Sequence, residues 1–145
     1  MKYALDTNIF IDAFRSEQSQ SEVFAFLDRT LPFIYLSAVV MQELAAGART
    51  DDADRGLQDG VFQPFERRRR VFAPSAAAFA QSGRMLAAVA AAEGWQLLDE
   101  KPSLLNDALI AASCREHGIT LITMDADFAR LAPFVRGFRY AAPWP

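Results

Sequence analysis

Tyr3-Ala4-Leu5-Asp6-Thr7-Asn8 places an acid directly after a short apolar run at the start of the chain. The run reads as a buried strand that ends at Asp6. Leu121-Ile122-Thr123-Met124-Asp125 repeats the arrangement near the other end, with Asp125 closing the strand. Between these two stretches, strands and helices alternate. A short helix over Ile9 to Phe14 is followed by a second over Ser21 to Arg29, with Val23, Phe24 and Leu27 on one side. Phe33 to Leu36 is the next strand, and Ser37 caps a helix running to about Ala48, its end marked by Gly47. Residues 50 to 70 are ambiguous, because Gly56, Gly60 and Pro64 interrupt any long helix while leaving room for short ones. Val71 to Ala73 reads as a strand, and Ser75 to Glu93 as a long helix that Gly94 caps. Ser103 then caps a helix from Leu104 to His117, stopped by Gly118. Ile119 to Thr123 is a strand, Asp127 to Leu131 a short helix, and Phe138 to Tyr140 a last edge strand. Such alternation predicts an α/β fold: one domain over residues 1–145, with a parallel central sheet flanked by helices.

The bulk composition narrows the function. Apolar residues make up 52% of the 145, with 12 Phe, enough to bury a core. The longest uncharged stretches contain Pro and polar residues, so none reads as a bilayer span. No signal-like apolar segment follows Lys2, and the expected compartment is the cytoplasm. The lone Cys114 excludes an internal disulfide and a cysteine-based zinc site. A net charge of −3 excludes a generally basic nucleic-acid binder. Thirteen of the fifteen cations are Arg, including Arg67-Arg68-Arg69-Arg70, a composition that fits coding bias as well as phosphate recognition.

Four acids carry the chemistry. Asp6 and Asp125 sit at the ends of apolar strands, and Glu43 and Asp107 fall on the apolar stripes of helical patterns. Glu43 shares its face with Val39, Val40, Ala46 and Gly47, and Asp107 shares its face with Leu104, Ala111 and Cys114. Acids are rarely buried without a partner, and a buried unpaired charge is costly. In open α/β sheets, ligands bind beyond the carboxyl ends of the strands. If the strands preceding Asp6 and Asp125 are neighbours, all four acids can meet there. Clustered carboxylates suit a hard divalent cation such as Mg²⁺ or Mn²⁺, which takes oxygen ligands. Three of the acids also have a plainer role: Asp6 and Asp125 as helix caps, and Asp107 as a charge in the first turn of its helix. Glu43, in mid-helix, has no such role. His117 reads as a structural residue near a helix end, Asp12 as solvated, Trp95 and Trp144 as packing residues, and Cys114 as inert.

Four segments together carry a resemblance. Leu5-Asp6-Thr7-Asn8, Ser37 through Leu44, Asn106 through Ala112 and Thr123 through Phe128 resemble, in order, the motifs of the PIN-domain family. Within that family, the short length and the closing Ala-Ala-Pro-Trp are similar to the VapC-type toxins of bacterial type II toxin–antitoxin systems. The resemblance implies Mg²⁺- or Mn²⁺-dependent endoribonuclease activity, with Asp6, Glu43, Asp107 and Asp125 as the catalytic, metal-binding acids. It implies supporting roles for Asn8 and Thr123, and matches Asp127 to an acid that often precedes Phe in the last motif. It also implies an RNA substrate, a cognate antitoxin and a homodimer. The paired Phe62 and Phe65 are expected to contribute to an exposed apolar patch.

Two other classes compete. One is a catalytically silent PIN-like module that only binds RNA or protein. The other is an aspartyl phosphotransferase of the haloacid-dehalogenase type, whose second acid would fall where this chain has Asn8. The only lysines available to that chemistry are Lys2 and Lys101.

Overall fold

Every residue of Ile119-Thr120-Leu121-Ile122 is buried, which an α/β sheet achieves only when both of its faces are covered. In the computed structural model, which describes residues 1–145, this segment is β4 of a five-stranded sheet. The others are β1 (Lys2–Leu5), β2 (Ile34–Ser37), β3 (Val71–Phe72) and β5 (Arg139–Ala141). Their order is β3-β2-β1-β4-β5, and all four pairings are parallel. The chain therefore builds outward from β1 to β3, then returns to place β4 on the other side of β1. That reversal opens a crevice beyond the carboxyl ends of β1 and β4.

Nine α-helices complete the chain: α1 (Thr7–Arg15), α2 (Glu17–Thr30), α3 (Ala38–Gly47), α4 (Asp51–Leu57), α5 (Gln63–Arg67), α6 (Ala76–Glu93), α7 (Leu97–Glu100), α8 (Leu104–His117) and α9 (Asp127–Leu131). Helix α1 packs on α2 and α3, while α6 packs on α8 and α9. No helix is long and apolar enough to cross a membrane. Ser37 caps α3 through the amides of Val39 and Val40, and Ser75 caps α6 through that of Ala78. Gly118 ends α8 in the left-handed conformation, φ 65°, which glycine adopts without strain. His117 turns its ring back to the Ser113 carbonyl at 2.8 Å and packs on Phe72, the structural role expected of it.

Residues 50 to 70 form one continuous helical path. Thr50 caps α4, and a π-helical turn over Gln58–Phe62 leads into α5. The amide of Gln63 bonds the Gln58 carbonyl, five residues back. That wide turn brings Leu57 and Phe62, also five apart, to the core side together. The arginine run that follows lies before β3, at the end of the sheet opposite the acids. Arg67 bonds Gln63, Arg68 bonds the Pro64 carbonyl and Arg70 bonds the Leu31 carbonyl, so much of the run holds local structure.

Several expectations need correction. Ser103 makes no capping bond; its own backbone is helical, and α8 grows directly out of the turn after α7. Helix α2 starts at Glu17, capped by Ser16. Val23 and Phe26, three residues apart, take its inward positions, which turns Phe24 outward. The second strand begins one residue later than read, because Leu31–Phe33 forms a 3₁₀ turn, and the last strand is likewise shifted by one. Asp12 is half-buried. Phe62 is buried, and the exposed aromatics include Phe14, Phe24 and Phe79 instead. Trp95 is 65% exposed in the turn after α6, so it is not a packing residue. Trp144 does pack, stacking on Phe26 at 4.9 Å between ring centroids.

Phe26 also meets Tyr3 of β1 edge-on at 5.5 Å, so one ring joins α2, the sheet and the C-terminal tail. Phe26→Ala is expected to cost about 3–5 kcal/mol in urea unfolding and to shift Trp144 emission toward that of solvated indole. A loss under about 1 kcal/mol would show that the tail, rather than this ring, closes that side.

Candidate metal centre at the carboxyl ends of β1 and β4

Asp6 emerges from β1 and N-caps α1, accepting from the Thr7 amide at 2.8 Å through Oδ1. Its own amide extends the ladder to β4, donating to the Ile122 carbonyl at 2.9 Å. One residue farther along β4, Thr123 donates its hydroxyl to Asp6 Oδ2 at 2.7 Å and accepts from the Asp125 amide at 3.0 Å. Two adjacent strands thus hold their terminal acids through one threonine. Asp125 Oδ1 in turn accepts from the Asp127 amide at 2.9 Å, which turns the chain into α9.

The helical acids join from both sides. Helix α3 leaves β2 at Ser37 and directs Glu43 toward Thr7, whose hydroxyl donates to Glu43 Oε1 at 2.7 Å. Glu43 is half-buried, and Ala46 and Gly47 on its side are exposed. Its helical face therefore forms a rim rather than a fully inward stripe. Asp107, in the first turn of α8, is only 6% exposed. Oxygens of Asp107, Asp125 and Asp127 lie within 4.8 Å of one another, and Asp6 and Glu43 are close enough to act on Asp107 electrostatically.

Of the residues read from the sequence, the structure gathers Asp6, Glu43, Asp107, Asp125, Thr123 and Asp127. Asn8 is exposed on α1, and Thr7 supplies the bridging hydroxyl beside it. Thr7 was missed although a hydroxyl next to a strand-end acid was visible in the sequence. Arg130 pairs with Asp127 one turn along α9, a spacing visible in the sequence, whereas Lys101 left no such signal, because it reaches Asp127 from 26 residues away.

The electrostatics are unfavourable for bare carboxylates. Burial raises the Asp6 carboxyl above its ordinary value. The bonds from Thr123 and Thr7 oppose that rise, while Glu43 and Asp125 add to it. Burial pushes Asp107 up to about 8, with further contributions from Asp6, Asp125, Glu43 and Asp127. Asp107 Oδ2 is also buried with no hydrogen-bond partner. A carboxylate oxygen orphaned among like charges is the observation that fits a cation here. The donors are all oxygen, the set that a hard divalent ion takes and that a soft one does not. Cys114, deep in α8, has its thiol pushed up by burial and by Asp6, which keeps it inert.

With this geometry in view, the chain's relatives can be placed. The PIN domain model matches residues 3–133, and the chain belongs to the PIN domain family. Its fold is similar to that of FitAB bound to an IR36 DNA fragment, at 20% identity and a TM-score of 0.69, covering 99% of this chain and 96% of that one. DNA-bound VapBC from Salmonella typhimurium is 21% identical with a TM-score of 0.67, and FitAcB from Neisseria gonorrhoeae 23% identical with 0.66; both alignments cover 98% of either chain. At these identities the likeness is one of fold. Among curated proteins, none matches the chain in sequence.

The titration of Asp107 sets a measurable pH dependence. In the unfolded chain it ionises near 3.8, while in the cation-free fold it keeps its proton to about 8. Between those values the folded state binds more protons than the unfolded state, so stability falls as pH rises through the window. Asp6, also raised, contributes with the same sign. Urea unfolding in EDTA should therefore lose on the order of several kcal/mol between pH 5 and pH 8, and Asp107→Asn should flatten most of that slope. A wild-type stability that rises across this range would contradict the buried, proton-holding Asp107.

Proposed function

We propose that the chain is a divalent-metal-dependent endoribonuclease, the toxin component of a type II toxin–antitoxin system. The observation that carries this reading is the orphaned Asp107 oxygen inside a cluster of carboxylates at the sheet's switch point. Asp107 and Asp125 would hold Mg²⁺ or Mn²⁺, with Asp6 and Glu43 completing the negative shell. When bound, the ion offsets the mutual repulsion of the acids and stabilises the charge that develops as a phosphodiester is hydrolysed.

The chain's own residues prepare that chemistry. Thr123 fixes Asp6 relative to Asp125, and Thr7 fixes Glu43 relative to Asp6, so neither acid must reorient as substrate arrives. Asp107 would give up its proton to hold a cation, which would couple metal binding to pH. Asp6 or Glu43, whichever lies nearer the attacking water, serves as general base. A silent binding module has no use for an unpartnered buried acid, and an aspartyl phosphotransferase needs a second acid where the exposed Asn8 stands.

A protein partner fits the same face. A hollow of about 510 Å³ lies between α1, α3 and α4, lined by Ile11, Phe14, Leu44 and Leu57 and reaching Glu43. An antitoxin segment with apolar side chains and one Arg or Lys would fill the hollow and set its cation among the acids. We further propose a homodimer working in the cytoplasm. The isolated protein should sediment as a dimer, and a basic peptide from such an antitoxin should inhibit less as Mn²⁺ is raised. Inhibition indifferent to Mn²⁺ would separate the blocking segment from the acid cluster.

Incubation with total cellular RNA and Mg²⁺ or Mn²⁺ tests the activity directly. Asp6→Asn should lower cleavage by roughly two orders of magnitude or more while changing urea stability little, because Asn keeps one acceptor for the Thr7 amide. Mn²⁺ at a hundredfold excess over its dissociation constant should stabilise the wild type by about 2.7 kcal/mol, and Asp125→Asn far less. Equal metal stabilisation of both proteins would place the ion elsewhere. Undiminished cleavage by Asp6→Asn would refute the assignment of the site.

A further inference from the structure

Asp127 differs from the other acids of the cluster because it already holds two cations. Its Oδ1 accepts from Arg130 Nη1 at 2.8 Å and from Lys101 Nζ at 3.2 Å, and its Oδ2 accepts from the same ammonium at 3.3 Å. Arg130 is held from its other side by Glu93 at 2.9 Å. Lys101 is fixed at the backbone as well. It closes α7, donating its amide to the Leu97 carbonyl at 2.8 Å, and its own carbonyl accepts from the Leu104 amide at 3.1 Å as α8 begins. The two Asp127 oxygens lie side by side and engage one side of the ammonium, which leaves donors free on its other side. The Lys101 side chain is 44% exposed at the edge of the carboxylate cluster.

Asp127 is only 14% exposed, but the ammonium is open to solvent, and a pair open on its cation side adds little to stability, so fixing Lys101 from both ends is poorly explained as fold maintenance alone. A polyanion approaching a cluster of carboxylates needs a positive charge that is held outside the cluster rather than collapsed into it. Asp127 supplies that separation: it pins the ammonium to the rim and, with both oxygens engaged, has little left for a metal. We propose that Lys101 is a phosphate-binding residue of this site, and that Asp127 is its positioning residue rather than a metal ligand. The proposal rests on the nuclease reading. Lys101 acts as a point charge on a phosphate of the bound strand, while Arg130 and Glu93 keep Asp127 in place behind it.

The test is steady-state cleavage of a labelled single-stranded RNA at saturating Mn²⁺ over a series of KCl concentrations. Wild type, K101M, K101R, D127N, the double variant K101M/D127N and K2M are compared. Lys2 is the control, since its ammonium lies over the Tyr35 ring at 5.5 Å, at the amino end of the sheet. K101M should raise KM about tenfold with a smaller change in kcat. It should also make the plot of log kcat/KM against log salt shallower by about 0.7, the value for one fewer phosphate contact on a single strand. K101R should recover most of that slope, and K2M should match wild type. D127N should reproduce part of the KM effect, and the double variant should be no worse than K101M. The Mn²⁺ concentration that half-raises the melting temperature should be the same in D127N as in wild type. An active wild type whose KM and salt slope are unchanged by K101M would overturn the proposal alone. So would a D127N variant that needs much more Mn²⁺ yet keeps the wild-type salt slope. A wild type inert toward RNA at every metal concentration would overturn the nuclease reading and this proposal together.

Discussion

Burial of two carboxylates, Asp6 and Asp107, among further like charges is the constraint around which this protein is arranged. Five acids come together beyond β1 and β4, and burial raises the proton affinity of Asp6 and Asp107 before any neighbour is considered. The fold tolerates the cluster because two threonines divide it into hydrogen-bonded pairs. Thr123 joins Asp6 to the backbone of Asp125, and Thr7 joins Glu43 to Asp6 through its hydroxyl and its amide. Asp107 is left over, its carboxyl pushed up to about 8 by burial and one of its oxygens unpartnered. That stability cost would become affinity for a cation that supplied the partner this group lacks.

The sheet makes the cluster possible. Parallel strands place all their carboxyl ends on one side, and the order β3-β2-β1-β4-β5 sets the two acid-bearing strands next to each other. The helices that follow β2 and precede β4 pass over that edge, which explains how mid-helix Glu43 and first-turn Asp107 reach the same place. Cations are sorted by the same geometry. The arginine run before β3 lies at the opposite end and is engaged with Gln63 and the carbonyls of Pro64 and Leu31. Lys101 and Arg130 meet the cluster only through Asp127. A charge run conspicuous in sequence is therefore local scaffolding, while two isolated cations stand at the site.

Much of this was legible in the residues. Acids at the ends of apolar strands and on apolar helical stripes are improbable as solvated charges, and that improbability identified Asp6, Glu43, Asp107 and Asp125 as a set. The serine cap at Ser37 and the glycines at Gly94 and Gly118 marked helix ends correctly, because such ends are satisfied by near neighbours. Phe24, Phe62 and Trp95 were misread for the opposite reason. Whether an aromatic side chain is buried depends on which neighbour takes the inward position; Phe26 decided that for Phe24 and the π turn after α4 for Phe62, while Trp95 stands out in the turn after α6.

By itself, the sequence determined the alternation of strands and helices, the identity of the acids and the absence of cations near them along the chain, since each follows from residue type and short spacing. Only the tertiary structure decided that β1 and β4 are neighbours, that Thr7 rather than Asn8 bridges two acids, and that Lys101 reaches Asp127. Those facts depend on contacts between segments far apart in sequence: Thr7 with Glu43, Asp6 with Thr123, Lys101 with Asp127. A local pattern can show that a charge must be compensated, but the compensating group is supplied by whichever distant segment the packed core brings alongside.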